Sequence, residues 1–262
     1  MDAATTDTVR DWLATPQRQA AVTDETAHRP WPLPERSWVL AQTWEDLLFV
    51  HWPVDPEQVR PLLPRGLELD LQDGSAWLGV TPFRLSALRL RGTLPVPYAS
   101  SFLELNVRTY VTDGDKPGIW FFSLDATSRT AVELARRTYR LPYHQMRATL
   151  EERGLHHRWR SSRLGAPRPY VLEASYRPLG APAPAEPGSV EHFLAERYCL
   201  YAEHRGELLR ADIHHPPWPL QSAELDLDLT TMTPDGIDLP ATAPLAHAVA
   251  RQDVVIWPLA PA

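Results

Sequence analysis

The sequence predicts a mainly β fold of the α+β class: an antiparallel sheet curled into a β-barrel, with a few short helices and an internal cavity. Three observations predict it. From residue 44 onward, β-prone runs alternate with clusters of turn-forming residues. Only a few segments carry helical spacing. Proline is abundant, at 27 residues, roughly twice the usual share. Because proline is kept out of helix interiors and central strands, such a chain must have many turns and strand ends. With 44% apolar and 23% charged residues among 262, a packed core is within reach.

Residues 1–37 read as a peripheral N-terminal extension, and 38–262 as a single barrel domain. A short helix fits Thr8–Ala20, followed by the Pro-punctuated lead-in TAHRPWPLPE (26–35). WEDLLFVHW (44–52) is apolar enough for a buried strand. Asp55 and Pro56 open a short helix as cap and first helical residue, and Pro61 and Pro64 end it. WLGVTPF (77–83) follows the Asp73–Gly74 turn as a strand. The clearest hairpin joins FLELNVRTYV (102–111) to IWFFSLD (119–125) through DGDKPG (113–118), a connection dense in turn formers. Val132, Ala135 and Tyr139 mark a helix over 131–139 that Leu141–Pro142 stops. Later strands are expected at 157–163, 170–177, 198–204, 207–213, 224–230 and 253–257. Between them lie a linker-like loop at 181–188 and a helix at 190–197 capped by Ser189.

Composition narrows the function. No run of about 18 apolar residues exists, which predicts no membrane span. The N-terminus lacks the basic-then-apolar pattern of a secretory signal, and the expected compartment is the cytoplasm. A net charge of −7 argues against nucleic acid as a partner. The basic stretch Arg147–Arg168 is either a solvated strand edge or a site for an anion. A single cysteine, Cys199, forbids an intramolecular disulfide and multi-cysteine metal sites. His214 and His215 are adjacent and no HExxH spacing occurs, so no metal site is expected. Nothing in the sequence calls for a cofactor, and a homo-oligomer is left open. No GxSxG elbow, P-loop or GxGxxG fingerprint is present.

The 102–111 run carries the candidate site. Side chains alternate with period two, so Leu103, Leu105, Val107, Thr109 and Val111 share one face. The other face carries Phe102, Glu104, Asn106, Arg108 and Tyr110. The apolar face needs a core. The aromatic residues bracketing the polar stripe point to a pocket wall rather than open solvent. If buried, Glu104 and Arg108 would need one another or a ligand. Ser123 and Asp125 are expected to share the Arg108 face, since otherwise Phe122 would sit among the charges.

RPLLPRGLELD (60–70) resembles a segment near the start of acetoacetate decarboxylase, and the similarity continues through Glu104, Gly118 and Pro142. In that family the proline precedes two lysines. The first forms a Schiff base with the keto acid, and the second lowers its pKa. Here those positions are Tyr143 and His144. A narrower resemblance rests on WEDLLFVHW, FLELNVRTYV, FFSLD, RLPY, GSVEHFLAERY and HHPPWPL, spread over about 40–258. By these motifs the chain is identified as a member of the YqjF-like family of uncharacterised bacterial proteins, within the acetoacetate decarboxylase-like superfamily. The resemblance implies that superfamily's barrel and says nothing of activity.

The missing lysine constrains the chemistry. An imine needs a primary amine that can be neutral near pH 7, and tyrosine, histidine and arginine cannot supply one. Of 26 basic residues only Lys116 is a lysine, and it falls in a predicted exposed turn. Two functions follow. In the first, the barrel binds a small carboxylate or carbonyl compound: Glu104, Asn106 and Arg108 orient it, Phe102 and Tyr110 wall it, and Tyr143 covers it. Arg108 would take a carboxylate through its planar fork, and Arg136 would reach the cavity mouth. In the second, the chain is a lysine-independent enzyme, a lyase or hydrolase acting on a keto-acid-like substrate, with Glu104 and Tyr143 or His144 as acid and base. Adjacent strand residues point to opposite faces, and Tyr143 is the one expected to face the cavity.

Overall fold

The structure, a computed structural model, describes residues 3–96 and 100–262. Its helices are α1 (Ala3–Ala21), α2 (Pro56–Val59), α3 (Arg129–Thr138) and α4 (Val190–Ala195). Thirteen strands make one sheet. In chain order they are β1 (Leu40–Val54), β2 (Glu68–Leu69), β3 (Ala76–Leu90), β4 (Phe102–Thr112), β5 (Pro117–Ala126), β6 (Tyr143–Arg153), β7 (His156–Arg163), β8 (Val171–Ala183), β9 (Cys199–His204), β10 (Glu207–His214), β11 (Leu220–Thr230), β12 (Leu245–Ile256) and β13 (Ala260–Pro261).

The sheet closes on itself twice. Strands β5, β4, β3, β1 and β12 form a continuous wall. At each end the wall forks. The free edge of β5 pairs with β6 along 124–126 and with β9 along 119–120. The free edge of β12 meets β11 at 247–248 and β10 at 255–256. One circuit therefore runs through β6, β7, β8 and β11, and the other through β9 and β10. Closure removes sheet edges, which would otherwise be sites for unwanted pairing. Most neighbours are antiparallel, but β5 runs parallel to both β6 and β9. A parallel return needs a crossover, and α3 supplies it between β5 and β6.

This forked closure buries both faces of the central wall. One face presents Leu48, Val50, Leu78, Val80, Leu105 and Val107 to Met146, Trp159, Leu172 and Tyr176 of the larger circuit. Opposite them, Leu47, Phe49, Phe83 and Leu85 pack with Trp218, and Phe121 and Leu124 pack with Leu200 and Ile213. Strands buried on both sides read as near-continuous apolar runs, as β1 and β3 do.

Helix α1 and the lead-in are stitched to this body. Gln19 Nε2 donates to Thr43 Oγ1 at 3.0 Å, and Arg18 pairs with Asp253 at 2.6 Å. No helix among the described residues is long and apolar enough to cross a membrane.

Three elements differ from the sequence reading. Strand β6 was not anticipated beyond Tyr143 and His144, because Arg147, Glu151 and Glu152 mask the alternation of Met146, Ala148 and Leu150, which pack on the core. Strand β8 runs into the segment read as a linker, and Ala183 there pairs with Leu220. The third is the register of the 102–125 hairpin. Ser123 lies opposite Val107 and Asp125 opposite Leu105, on the face away from Glu104, Asn106 and Arg108. The expectation that they share the Arg108 face was wrong. The register slips between Val107 and Arg108, so that Phe122 is an extra residue, and a β-bulge lets it join the larger core.

Candidate functional site

Strand β4 is the spine of the site. Glu104, Asn106, Arg108 and Tyr110 are all buried, so the polar stripe faces the interior and not solvent. On β5, Leu124 pairs with Asn106 on the same face. Leu124 also aligns with Tyr143, the first residue of β6, while Asp125 aligns with His144. That pairing turns the Tyr143 side chain toward Glu104 and His144 away from it.

The local chain fixes Tyr143. Ser128 caps α3 by accepting from Ala131 N. After the helix, Arg140 takes a left-handed φ of 55°. Leu124 N then donates to Pro142 O at 3.1 Å, and Arg136 Nε donates to Tyr143 O at 2.7 Å. Arg136 thus clamps a backbone carbonyl and stays outside the cavity lining.

Glu104 and Tyr143 meet at the wall of a mostly apolar, open-mouthed cavity. Trp44, Leu85, Phe102, Phe121 and Leu124 line it, and α3 lies across it with Leu134, Ala135 and Thr138. Tyr143 Oη donates to the Glu104 carboxyl and sits 3.2 Å from both of its oxygens. Asn106 lines the same cavity, and its Oδ1 has no hydrogen-bond partner among the described residues.

Electrostatics make this pair neutral. Burial pushes the Glu104 carboxyl up to about 8; the Tyr143 hydrogen bond partly offsets this, and the nearby Asp125 charge adds to it. Burial and the neighbouring Glu104 raise the Tyr143 phenol well above its ordinary value. At neutral pH the cavity therefore offers an undissociated acid whose own O–H is free to donate, while the phenol proton is held by the Glu104 carboxyl.

The structure brings together Phe102, Glu104, Asn106 and Tyr143, and leaves the other expected residues elsewhere. His144 sits beside Asp125 on the far face, its pKa lowered by burial and by Arg163. There Arg163 holds Asp125 with two nitrogens, at 2.6 and 2.8 Å. Arg108 is outside the cavity lining, its guanidinium 5.0 Å above the Phe49 ring. It does not pair with Glu104. Tyr110 is also outside, within hydrogen-bond reach of His51 Nε2 at 2.7 Å.

Lys116 is half-buried rather than exposed. Its ammonium lies 5.2 Å over Trp31 and 4.0 Å from Asp212, away from the cavity lining. Glu196 and Arg197 do not pair with each other; Arg197 holds Asp70 at 2.5 Å, and Glu196 accepts from Trp218 N. The ring nitrogens of His214 and His215 face Val22 O, Arg29, Pro216 O and Arg197 O. The arginines of 147–168 mostly meet acids: Arg158 meets Asp228, Arg160 meets Glu151 and Glu173, and Arg168 meets Asp235. That makes the stretch a solvated, charge-paired sheet surface.

The sequence reading missed Gln42, Trp44, Phe121 and the α3 residues of the lining. Helical spacing showed that α3 has an apolar side, but no local signal says what that side covers.

Comparison with known proteins agrees with this architecture. Residues 41–253 match the model of the DUF2071 family, described as an uncharacterized conserved protein (COG2071). The uncharacterized protein YqjF of Bacillus subtilis (strain 168) is 46% identical over 228 residues, covering 87% of this chain and 94% of that protein. An acetoacetate decarboxylase-like enzyme from Sphingomonas wittichii RW1 superposes with a TM-score of 0.58 at 16% identity, covering 90% of this chain and 97% of that one. The enduracididine biosynthesis enzyme MppR, complexed with the condensation product of pyruvate and imidazole 4-carboxaldehyde, gives 0.61 at 13% identity, covering 90% and 95%. Acetoacetate decarboxylase from Legionella pneumophila gives 0.57 at 11% identity, covering 92% and 95%. At these identities the likeness is one of fold.

Proposed function

The chain belongs to the DUF2071 family, and from that premise we propose that it binds a small, largely apolar carbonyl compound without a covalent bond. The observation that carries this reading is the neutral Glu104–Tyr143 pair in the wall of an apolar cavity. With the Tyr143 proton spent on Glu104, the carboxyl O–H is left as a donor in an apolar space, and it suits a carbonyl oxygen, which accepts and carries no charge. A carboxylate bound there would be buried without a cation, at a cost of several kcal/mol. Among the described residues no primary amine lines the cavity, and an imine cannot form without one.

Thermal-shift titration with apolar ketones, and with amines of matched size, tests the proposal. Ketones should raise the midpoint and amines should not. The gain should vanish in the Glu104→Gln/Tyr143→Phe double variant. Equal shifts in wild type and double variant would refute the assignment, and borohydride should trap no ketone adduct.

One observation favours a second reading. A carboxyl group that titrates near neutrality, hydrogen-bonded to a phenol, is suited to general acid–base catalysis. In this reading the chain is a lysine-independent lyase or hydrolase for a keto-acid-like substrate, with Glu104 as the acid. Turnover of a β-keto acid that survives Glu104→Gln would exclude it.

A further inference from the structure

A second buried polar cluster lies on β1, β3 and β4, beyond the carbonyl cavity. Its centre is Arg108, 4% exposed. Arg89 and Arg197 are buried to the same degree, yet they donate to Gln19 and Pro16 O, and to Phe193 O and Asp70. Among the described residues no carboxylate lies within 4.0 Å of Arg108, and its Nε has no hydrogen-bond partner. The guanidinium rests on the Phe49 and Tyr110 rings. A guanidinium keeps its charge in proteins, and a lone buried charge is expensive.

The neighbours are unpartnered too. Among the described residues His51 Nδ1 and Thr81 Oγ1 are buried without hydrogen bonds, as is Asn106 Oδ1. These residues converge. Gly79 pairs with His51 on one side and with Arg108 on the other. A Cβ on Gly79 would come 3.0 Å from the His51 ring and 3.2 Å from Arg108 Cγ, so the two side chains approach one another over the glycine. Thr81 pairs with Asn106 one step along. Folded proteins leave few buried polar groups unsatisfied, and a group of them needs an explanation.

We propose that Arg108, with His51 and Thr81, forms a buried receptor for one small carboxylate anion, distinct from the carbonyl cavity at Glu104. The guanidinium fork matches two carboxylate oxygens. The Thr81 hydroxyl and the Nδ1–H of a neutral His51, whose Nε2 faces the Tyr110 hydroxyl at 2.7 Å, supply the remaining donors. The Phe49, Trp218 and Trp44 rings pack in a chain, with Phe49 against Arg108 and Trp44 in the cavity lining.

Calorimetric titration of acetate into the full chain, in a zwitterionic buffer low in chloride, tests it. Wild type should bind one acetate. Arg108→Met should weaken binding at least tenfold, and Thr81→Val several-fold. Glu104→Gln should bind acetate like wild type, so failure of the carbonyl reading and failure of this one are separable. Absence of acetate binding by wild type, or undiminished binding by either receptor variant, would overturn the proposal. If Arg108→Met does not fold, Thr81→Val decides alone.

Discussion

Glu104→Gln should stabilise the protein by an amount that grows with pH. The carboxyl has a folded pKa of about 8 against an ordinary value of 4.5. Below the lower value both states are protonated, and the buried acid carries no ionisation penalty. Between the two values the unfolded chain releases its proton while the folded chain retains it. Wild type therefore loses stability through this window, and above the folded value the loss levels off. Each unit is worth roughly 1.4 kcal/mol. At pH 7 the loss amounts to about 3 kcal/mol, and past pH 8 to about 5 kcal/mol. Either figure is a large share of a typical domain's stability of about 5–15 kcal/mol. Glutamine keeps the shape and cannot ionise. Its different hydrogen bond to Tyr143 adds an offset that does not vary with pH, so the slope is the readout. Urea unfolding of both proteins at unit intervals from about pH 5 to 9 measures it, and other titrating groups cancel in the difference. A flat difference across that range would show that Glu104 is ionised in the fold, and the neutral-acid reasoning would fail with it.

Tyr143→Phe removes a donor that holds the Glu104 pKa down, so carbon NMR of the Glu104 carboxyl should show its titration moving still higher; an unchanged or lower midpoint would mean that the phenol does not touch it. Arg163→Met strands the buried Asp125 carboxylate and should cost roughly 3–5 kcal/mol in denaturant unfolding, whereas replacing both partners with apolar residues should recover much of it; equal losses would contradict the pairing. Gly118→Ala would place a Cβ 2.6 Å from Cys199 Sγ and 2.9 Å from the Cys199 carbonyl oxygen. Overpacking of that kind should cost at least about 1–3 kcal/mol, read as a fall in thermal midpoint, and a neutral substitution would refute the β5–β9 register.

Some of the site was legible because it obeys short-range rules. Period two placed Phe102, Glu104 and Asn106 on one face, and turn chemistry placed β4 and β5 side by side. The proline that ends the 131–139 helix marked where Tyr143 begins a strand. Other parts depend on contacts that no local pattern encodes. A bulge inserts one residue, and nothing in FFSLD marks Phe122 as the extra one. The same period-two argument that placed Glu104 also put Arg108 in its pocket. In the fold, Arg108 rests on the Phe49 ring and lies outside the lining that Glu104 shares with Trp44. Lys116 reads as a solvated turn residue until Trp31, from a segment 85 positions earlier, folds over it.

The forked sheet explains why two acids so close together differ. Glu104 and Asp125 belong to neighbouring strands of the same wall. Asp125 faces the larger circuit, where Arg163 from β7 meets it with a bidentate grip. Glu104 faces the smaller circuit, where among the described residues its hydrogen-bond partner is a phenol and the lining is mostly apolar with no cation. A wall buried on both sides cannot leave an acid to solvent, so the partner on each face decides its protonation state. Placing a cation in the smaller circuit would make Glu104 an anion and abolish the carboxyl donor. On this logic Leu124→Lys, which puts an amine on the same face beside Asn106, should pull the Glu104 pKa down toward or below 4.5 and remove ketone binding together. If ketone binding persisted with Glu104 ionised, the neutral carboxyl would not be what holds the ligand.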